Sequence, residues 1–318
     1  MRRIAALLSV PLLAVLALAG CGSATSSSTP SVSVKGQFGT SPAVTIPKET
    51  AGKALAVKTL VKGNGPALTK SDAFVGNYAV YIWNGKTSKL AESTFTTKSP
   101  ALFSGQLLPG LETALQGKTM GSRVLAVIPP ADGYGKTGNS QAGVTANDTL
   151  VFVVDMIKEF PNTASATGSK VSSGGGSLPT VTAGKSGAAP TITIPKSGKV
   201  PTSLVTKTLI KGTGPAVTKG QTVVSQYVGV IWRTGKVFDS SWSRGTPFGF
   251  TIGATPSQVI TGWDKGLIGQ TVGSRVLLVV PPSQGYGKTG SSQAGIKGTD
   301  TLVFVVDILG AVSPGAKS

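Results

Sequence analysis

Histidine and cysteine, two residue types that often carry enzyme chemistry, are nearly absent from this chain of 318 residues. It has no histidine and a single cysteine, Cys21. Histidine-dependent nucleophilic triads, internal disulfides and thiolate metal sites are therefore excluded, together with most zinc and iron sites. We expect no metal and no cofactor. Any catalysis by this chain must work without these groups.

One carboxylate in the second half of the chain stands among aromatic residues. Asp239 follows Phe238 at a strand end, a position that does not suit a core-filling residue. Its segment is one of six short blocks that follow one another in order. The blocks are Tyr227–Gly229, Gly235–Ser241, Pro247–Phe250, Gln258–Leu267, Val272–Arg275 and Gly285–Gly287.

In order and spacing these blocks resemble the FKBP-type peptidyl-prolyl cis-trans isomerases, over a stretch from about Leu204 to Leu309. The resemblance implies an aromatic pocket between a curved sheet and a short helix. Trp263 would form its floor, and Arg244 would pack near the acid. The pocket residues that the resemblance implies are Tyr227, Phe238, Asp239, Phe248, Val259, Ile260, Trp263, Tyr286, Ile296 and Phe304.

The activity that this resemblance implies is rotation about X-Pro peptide bonds in polypeptides. The barrier is ~18–20 kcal/mol because the amide must give up its resonance. An apolar pocket that strips water from the amide favours the less polar twisted form, and an aromatic floor suits a prolyl ring. By resemblance, the Ile260 N–H and the Tyr286 hydroxyl hold the carbonyl. The macrolide inhibitors of the family are expected ligands of the same pocket.

The chain carries two copies of one sequence pattern, which predicts two tandem domains. Lys58–Pro66 returns as Lys207–Pro215, and Thr149–Asp155 returns as Thr301–Asp307. Stretches rich in Ser, Thr and Gly are typical of flexible connections. The predicted order is a signal peptide (1–20), a flexible tether (21–41), a first domain (42–160), a Gly/Ser-rich linker (161–188), a second domain (189–311) and a tail (312–318).

The first copy departs from the family pattern in its pocket. The segment between Phe103 and Gln106 is shorter than its counterpart, and three aromatic walls are missing. We expect this domain to keep its fold but to bind proline, and the macrolides, weakly or not at all. Ala91, Glu92, Ala101 and Leu111 stand where the second copy has Phe238, Asp239, Phe248 and Trp263. The retained positions are Tyr78, Leu107, Leu108, Tyr134, Val144 and Phe152.

Strand patterns dominate the elements that must position these residues. Val223–Trp232, Arg275–Val280 and Thr301–Leu309 are rich in β-branched residues and are bounded by Gly or Pro. Val259–Ile268 has apolar residues near helical spacing, and Gly269 can end that helix. Together with the resemblance, these patterns predict an α+β fold. Each domain should be a curved antiparallel β-sheet wrapped around one short α-helix.

The first residues have the layout of a secretory signal. Arg2 and Arg3 precede an apolar run over 4–19 that closes on Gly20 and Cys21. The run is shorter than the ~20 residues of a spanning helix. A small-residue pair before cysteine resembles the bacterial lipobox, which implies lipidation of Cys21 and anchoring to the outer face of the cell membrane. An ordinary signal peptide with an incidental cysteine, and an uncleaved anchor, are the alternatives.

The charge of the chain is strongly basic, with 30 Lys+Arg against 12 Asp+Glu and a net charge of +18. The lysines are scattered singly and form no arginine-rich stripe with interleaved aromatic residues. We therefore expect no nucleic-acid partner. A solvated basic surface near anionic lipid or cell-wall polymer fits the pattern better.

Three hypotheses for the function follow from these observations. The first is a peptidyl-prolyl isomerase that helps exported or cell-surface proteins to fold, with its activity mainly in the second domain. The second is a non-catalytic chaperone or scaffold that binds proline-containing segments, which the altered first copy favours. The third is a cell-surface adhesin that borrows the fold.

Overall fold

The computed structural model of the protein describes residues 31–185 and 187–316. The predicted signal peptide and Cys21 lie outside the described residues. Within the described ranges, no helix is long and apolar enough to cross a membrane.

The first half of the chain forms one antiparallel sheet preceded by a hairpin. The hairpin consists of β1 (Ser33–Lys35) and β2 (Ala43–Thr45). The sheet contains β3 (Ala56–Val61), β4 (Ala73–Trp83), β5 (Ser88–Ser93), β6 (Ala101–Phe103), β7 (Arg123–Ile128) and β8 (Thr149–Phe160). Its helices are α1 (Thr94–Thr97) and α2 (Pro109–Leu115). The strand order is β3-β7-β8-β4-β5, and β6 also pairs with β4.

The second half repeats this topology and adds one edge strand. The added strand is β9 (Ser169–Lys170), and the hairpin consists of β10 (Thr180–Thr182) and β11 (Thr191–Thr193). The other strands are β12 (Val205–Lys211), β13 (Thr222–Ile231), β14 (Val237–Ser240), β15 (Phe248–Thr251), β16 (Arg275–Val280) and β17 (Leu302–Val312). The helices are α3 (Ser241–Arg244) and α4 (Thr261–Leu267). The order is β14-β13-β17-β16-β12-β9, with β15 also on β13. The predicted α+β class is confirmed.

The helix predicted within Val259–Ile268 is α4, but each domain has a second, single-turn helix that the prediction of one helix missed. In the second domain this turn is α3, which ends at Gly245 in the left-handed region with φ 69°. It interrupts the edge of the sheet, so that β14 and β15 pair with the same strand on either side of the turn. A helix of four residues is too short to show the apolar spacing by which a longer helix is recognised in a sequence.

Both faces of each sheet are apolar, which is why the longest strands are nearly continuous hydrophobic runs. Leu278 and Phe304 are opposite each other in the register of β16 and β17, and they pack on the side of α4. The next pair, Leu277 and Val305, faces the other way. All four side chains are buried. Each sheet therefore needs a cover on both sides.

The two hairpins cover the outer faces. Val181 on β10 and Ile192 on β11 pack against the outward side chains of the second sheet. Val34 and Val44 on β1 and β2 do the same in the first domain. Every second hairpin residue is thus used to bury apolar area of a sheet.

Two segments expected to be flexible carry regular structure as a consequence. The described part of the predicted tether contains β1, and the predicted linker 161–188 contains β9 and β10. Lys170 on β9 pairs with Ile210 and extends the second sheet. The Ser- and Gly-rich composition of these segments hid the few apolar residues that the outer faces require.

A buried arginine–aspartate pair fixes the residues before the first domain. Arg123 donates from Nε and Nη2 to the two carboxylate oxygens of Asp155 at 2.6 and 2.7 Å, and both side chains are fully buried. The pair also binds backbone groups. Asp155 accepts from the Gly39 amide at 2.7 Å, while Arg123 donates to the carbonyl oxygens of Gly36 and Thr40. Burial of both charges is tolerated because their remaining donors and acceptors are satisfied.

The second domain repeats the pair. Arg275 donates to Asp307 at 2.6 and 2.7 Å, and Asp307 accepts from the Ala166 amide at 2.9 Å. The Thr167 amide donates to the Gly273 carbonyl at 3.0 Å. Residues just after the first domain are therefore bound directly to the second sheet.

The two domains pack against each other through a small apolar cluster. Its buried members come from both halves of the chain and are Val75, Ile157, Phe160, Val224 and Val312. The Thr222 hydroxyl on β13 donates to the carbonyl oxygen of Pro100 at 2.7 Å, close to this cluster.

Next to the cluster, β6 of the first domain lies against β15 of the second. The hydroxyl oxygens of Ser99 and Thr251 are 2.6 Å apart. Gly249 leaves the space that Leu102 occupies, since a Cβ built at Gly249 would be 2.6 Å from the Leu102 Cβ. The contact therefore requires a residue without a side chain at position 249.

We predict that Asp155→Ala lowers the free energy of unfolding of the first domain by about 3–5 kcal/mol, because it leaves the Arg123 guanidinium buried without its partner. Hydrogen exchange of the amides in β7 and β8 measures this loss. The control is the double change Arg123→Met with Asp155→Leu, which removes both charges and should cost clearly less. Equal losses in the single and double variants would contradict the role given to the pair.

Candidate active site

The floor of the candidate site is Trp263 in the first turn of α4, which is only 3% exposed. Aromatic rings surround the indole edge-on. Their centroids lie 5.1 Å (Tyr227), 5.4 Å (Phe304), 5.5 Å (Phe250) and 6.2 Å (Phe248) from that of Trp263. Edge-to-face packing at these distances is favourable for aromatic rings. The floor is therefore rigid and apolar.

The split edge strand supplies the two sides of the site. Phe238 and Asp239 lie on β14, and Phe248 begins β15. Gly229 pairs with Asp239, but its neighbour Val230 pairs with Val237, so Phe238 is the extra residue of a β-bulge. Successive strand residues ordinarily point to opposite faces. The bulge lets both Phe238 and Asp239 reach the same site, which is a known use of bulges.

Gly229 makes room for two of the rings. A Cβ at this position would lie 2.7 Å from Phe238 Cζ and 2.9 Å from Phe304 Cε1. The two rings meet edge-on above this glycine, with centroids 5.6 Å apart. The motif Tyr227–Gly229 contains this glycine, but the motif alone indicates no role for it. The counterpart in the first domain, Val80, was the signal that could have revealed this role.

Asp239 is tied to a tyrosine and an arginine. It accepts hydrogen bonds from the Tyr227 hydroxyl and from Arg244 Nη1, and Arg244 Nη2 lies 2.9 Å from the Tyr227 oxygen. The Arg244 guanidinium also lies over the Tyr227 ring at 5.4 Å. Burial, followed by the bond to Asp239, raises the pKa of Tyr227 to about 12, although Arg244 lowers it. Tyr227 therefore stays a neutral donor.

The remaining predicted residues form the rim. Val259 and Ile260 are half-buried just before α4, and Ile296 is buried in the same apolar cluster. Tyr286 is 41% exposed, outside that cluster. Its pKa is raised by burial and then by the negative charge of Asp239.

The amide of Ile260 precedes the first residue of α4 and donates to no acceptor within the described residues, while its carbonyl accepts from the Trp263 amide at 2.9 Å. The site thus combines a buried aromatic floor, a half-exposed rim and unused backbone and hydroxyl donors. Such an arrangement can receive an apolar ring and hold a carbonyl oxygen, without a nucleophile.

The first domain builds the same frame with different side chains. The bulge is kept, since Val80 pairs with Glu92 and Tyr81 with Leu90, but the bulged residue is Ala91. Leu111 occupies the first turn of α2 where Trp263 stands in α4. A cavity of about 920 Å³ remains between the sheet and α2.

Comparisons with known proteins match both halves of the chain. The family model described as FKBP-type peptidyl-prolyl cis-trans isomerase matches residues 66–157 and 214–309. The FK506-binding protein of Streptomyces anulatus is 45% identical over 106 residues, which cover 33% of this chain and 84% of that protein. A probable FK506-binding protein of Corynebacterium glutamicum is 40% identical over 108 residues, covering 34% and 86%.

Among solved structures, the crystal structure of AtFKBP13 has 35% sequence identity to this chain. The match covers 35% of this chain and 94% of that one, with a TM-score of 0.32. The two curated relatives each match a stretch of about one domain of this chain.

The hydrogen-bonded triad predicts opposite effects of two substitutions on the pKa of Tyr227. Asp239→Asn should lower it from about 12, because the carboxylate raises it, and Arg244→Ala should raise it further. Tyrosinate absorbance during an alkaline titration, corrected with Tyr227→Phe, measures both.

The same shift affects stability. Because the unfolded tyrosine has a pKa of about 10, the contribution of Tyr227 is complete below that pH and is lost as the pH rises towards 12. If the pKa of Tyr227 moved in the same direction in Asp239→Asn and in Arg244→Ala, the proposed triad would be contradicted.

Proposed function

This chain belongs to the FKBP-type peptidyl-prolyl cis-trans isomerase family, and from that premise we propose that its second domain isomerises X-Pro bonds in exported or cell-surface proteins. Uncatalysed isomerisation takes ~10–100 s, slow enough to delay the folding of a secreted chain. The observation that carries the proposal is the ring-lined floor around Trp263, with the half-exposed Tyr286 near Asp239.

The chemistry asked of this site is desolvation and positioning. A prolyl ring placed on the indole of Trp263 is held between Tyr227 and Phe304, so water leaves the adjoining amide. The twisted amide has less charge separation than the planar one and gains from this apolar setting. Since the barrier comes from amide resonance, no covalent intermediate is needed.

The carbonyl oxygen must be held while the bond turns. The free amide of Ile260 at the start of α4 and the half-exposed hydroxyl of Tyr286 are suitable donors. Asp239 supports this arrangement indirectly, because it fixes the neutral hydroxyl of Tyr227 beside the ring site.

A second candidate function is non-catalytic binding of polypeptide segments, and the first domain favours it. Three rings of the second site are absent there, and Leu111 replaces the indole floor.

We propose that catalysis resides mainly in the second domain. FK506-type macrolides, which the names of the relatives record for those proteins, should bind there as well.

Exchanging residues of the second site for those of the first should reduce isomerisation. We predict that Trp263→Leu and Phe238→Ala each lower kcat/KM for an X-Pro peptide about tenfold or more, equivalent to at least ~1.4 kcal/mol of transition-state stabilisation. A protease-coupled assay on the full chain measures this, and FK506 should abolish the parent activity.

The matched control is Phe152→Leu, which alters the first site at the position of Phe304 and should leave kcat/KM unchanged. If the parent chain gave no acceleration, the binding function would be favoured. If Phe152→Leu reduced the rate as much as Phe238→Ala, activity would not be confined to the second domain.

We also propose that lipid on Cys21 anchors the protein at the outer face of the cell membrane. The support is the order of basic, apolar and small residues before Cys21. Two or three acyl chains give stable attachment, at about 0.8 kcal/mol per buried CH₂.

Cys21→Ser should therefore abolish incorporation of labelled palmitate and move the protein from the membrane fraction. Ser23→Ala, close by, is the control and should change neither. Palmitate incorporation or membrane retention that persists in Cys21→Ser would contradict the anchor.

A further inference from the structure

The cavity of the first domain has no part in the isomerase function proposed for the second. It measures about 920 Å³, within the range of about 300–1,000 Å³ typical of sites for drug-sized ligands. Its lining includes Ala91, Ala101, Leu111 and Phe152. The two alanines and Leu111 replace rings of the second site, so the volume results directly from the sequence differences.

Only part of the lost ring volume is refilled. Val80 stands where Gly229 leaves space for Phe238 and Phe304, so its side chain compensates for the change to Ala91. Ala101 and Leu111, by contrast, place no ring at their own positions, and both residues line the cavity. The segment from β6 to α2 is also shorter than the one from β15 to α4, and its residues Gln106, Leu107 and Leu108 line the cavity.

The rim of this cavity carries a carboxylate without a cationic partner. Glu92 is exposed and forms no ion pair within the described residues, whereas its counterpart Asp239 is paired with Arg244. The reason is Thr97, which occupies the position of Arg244 in the single-turn helix. The amine of Lys89, on the same strand as Glu92, lies beside Gly143 instead.

A neutral donor lies beside this carboxylate. Tyr78 is half-buried, and burial followed by the neighbouring Glu92 raises its pKa well above the ordinary value. Gln106 and Gln141 add amide groups to the lining. The site therefore combines a large apolar space, one negative charge and several neutral hydrogen-bonding groups.

We propose that the first domain binds polypeptide segments in which a bulky aromatic side chain is followed by lysine or arginine. The aromatic group fills the space left by the missing rings, and the cation lies against Glu92. A prolyl ring would leave most of these walls without contact, and an acidic neighbour would be repelled.

Three short proline-free peptides test this on the full chain by titration calorimetry: one with Trp-Lys, one with Trp-Glu and one with Ala-Lys at its centre. Trp-Lys should bind most tightly. Trp-Glu should bind about fivefold or more weakly, and that difference should shrink as salt screens the charges. Ala-Lys should lose at least about tenfold, because the aromatic contact area is removed.

Two variants locate the binding. Glu92→Gln is at an exposed position and should weaken Trp-Lys about two- to fivefold while leaving Trp-Glu no weaker. Ala101→Phe restores a ring at the position of Phe248 and should abolish binding of both tryptophan peptides by filling the cavity.

Phe238→Ala in the second domain is the matched control and should leave Trp-Lys binding unchanged. The proposal is overturned if the three peptides bind equally, if Glu92→Gln has no effect, or if Phe238→Ala weakens Trp-Lys as much as Ala101→Phe does. Isomerase activity of Glu92→Gln, measured in parallel, should equal that of the parent, so a failure here is separate from a failure of the catalytic proposal.

Discussion

The architecture depends on one constraint: each sheet is apolar on both faces and must be covered on both. The outer face is covered by a hairpin drawn from the preceding segment. The inner face is covered by a helix of only seven residues, such as Thr261–Leu267. At 1.5 Å per residue this helix spans roughly 10 Å, whereas an eleven-residue strand such as Leu302–Val312 spans roughly 35 Å. The helix therefore covers only part of the inner face, and the aromatic side chains of the candidate site pack over the remainder.

What fills this remainder differs between the two domains, while the frame is constant. Both retain the bulge in the edge strand, so both can direct two consecutive side chains inward. In the second domain Gly229 permits Phe238 to pack on Phe304. In the first domain the side chain of Val80 occupies that space, and the smaller Ala91 replaces the phenylalanine. That exchange nearly conserves volume, as substitutions in a packed interior must. The exchanges at Ala101 and Leu111 do not, and the loss of an arginine at Thr97 removes the charge balance too. The first site is thus rebuilt in size and charge.

The sequence predicted the repeat, the α+β class and the main helix, because these leave local patterns: ordered motifs, β-branched runs and helical spacing. The same motifs named the residues of the candidate site, whose roles stay predictions. It could not predict features that depend on tertiary neighbours. The hairpins consist of three-residue strands in Ser- and Gly-rich segments. They are held in place because Val181 and Val34 pack against the apolar outer faces of the sheets. The single-turn helices have no periodicity. Gly229 is required because Phe238 and Phe304, which are distant in sequence, both pack against its backbone. That packing is apparent only in the folded structure.

The contact between the domains adds a final consequence. The strand that lines the cavity of the first domain, Ala101–Phe103, lies against the strand that carries Phe248 in the second. Leu102 fits there because Gly249 has no side chain. A glycine in a strand interior costs stability through backbone entropy, and a close backbone approach is a usual reason for one. One wall of each site therefore contributes to the same packed interface between the domains. A side chain at position 249 would displace Leu102 or Phe248, so the volume available in either site is constrained by its neighbour.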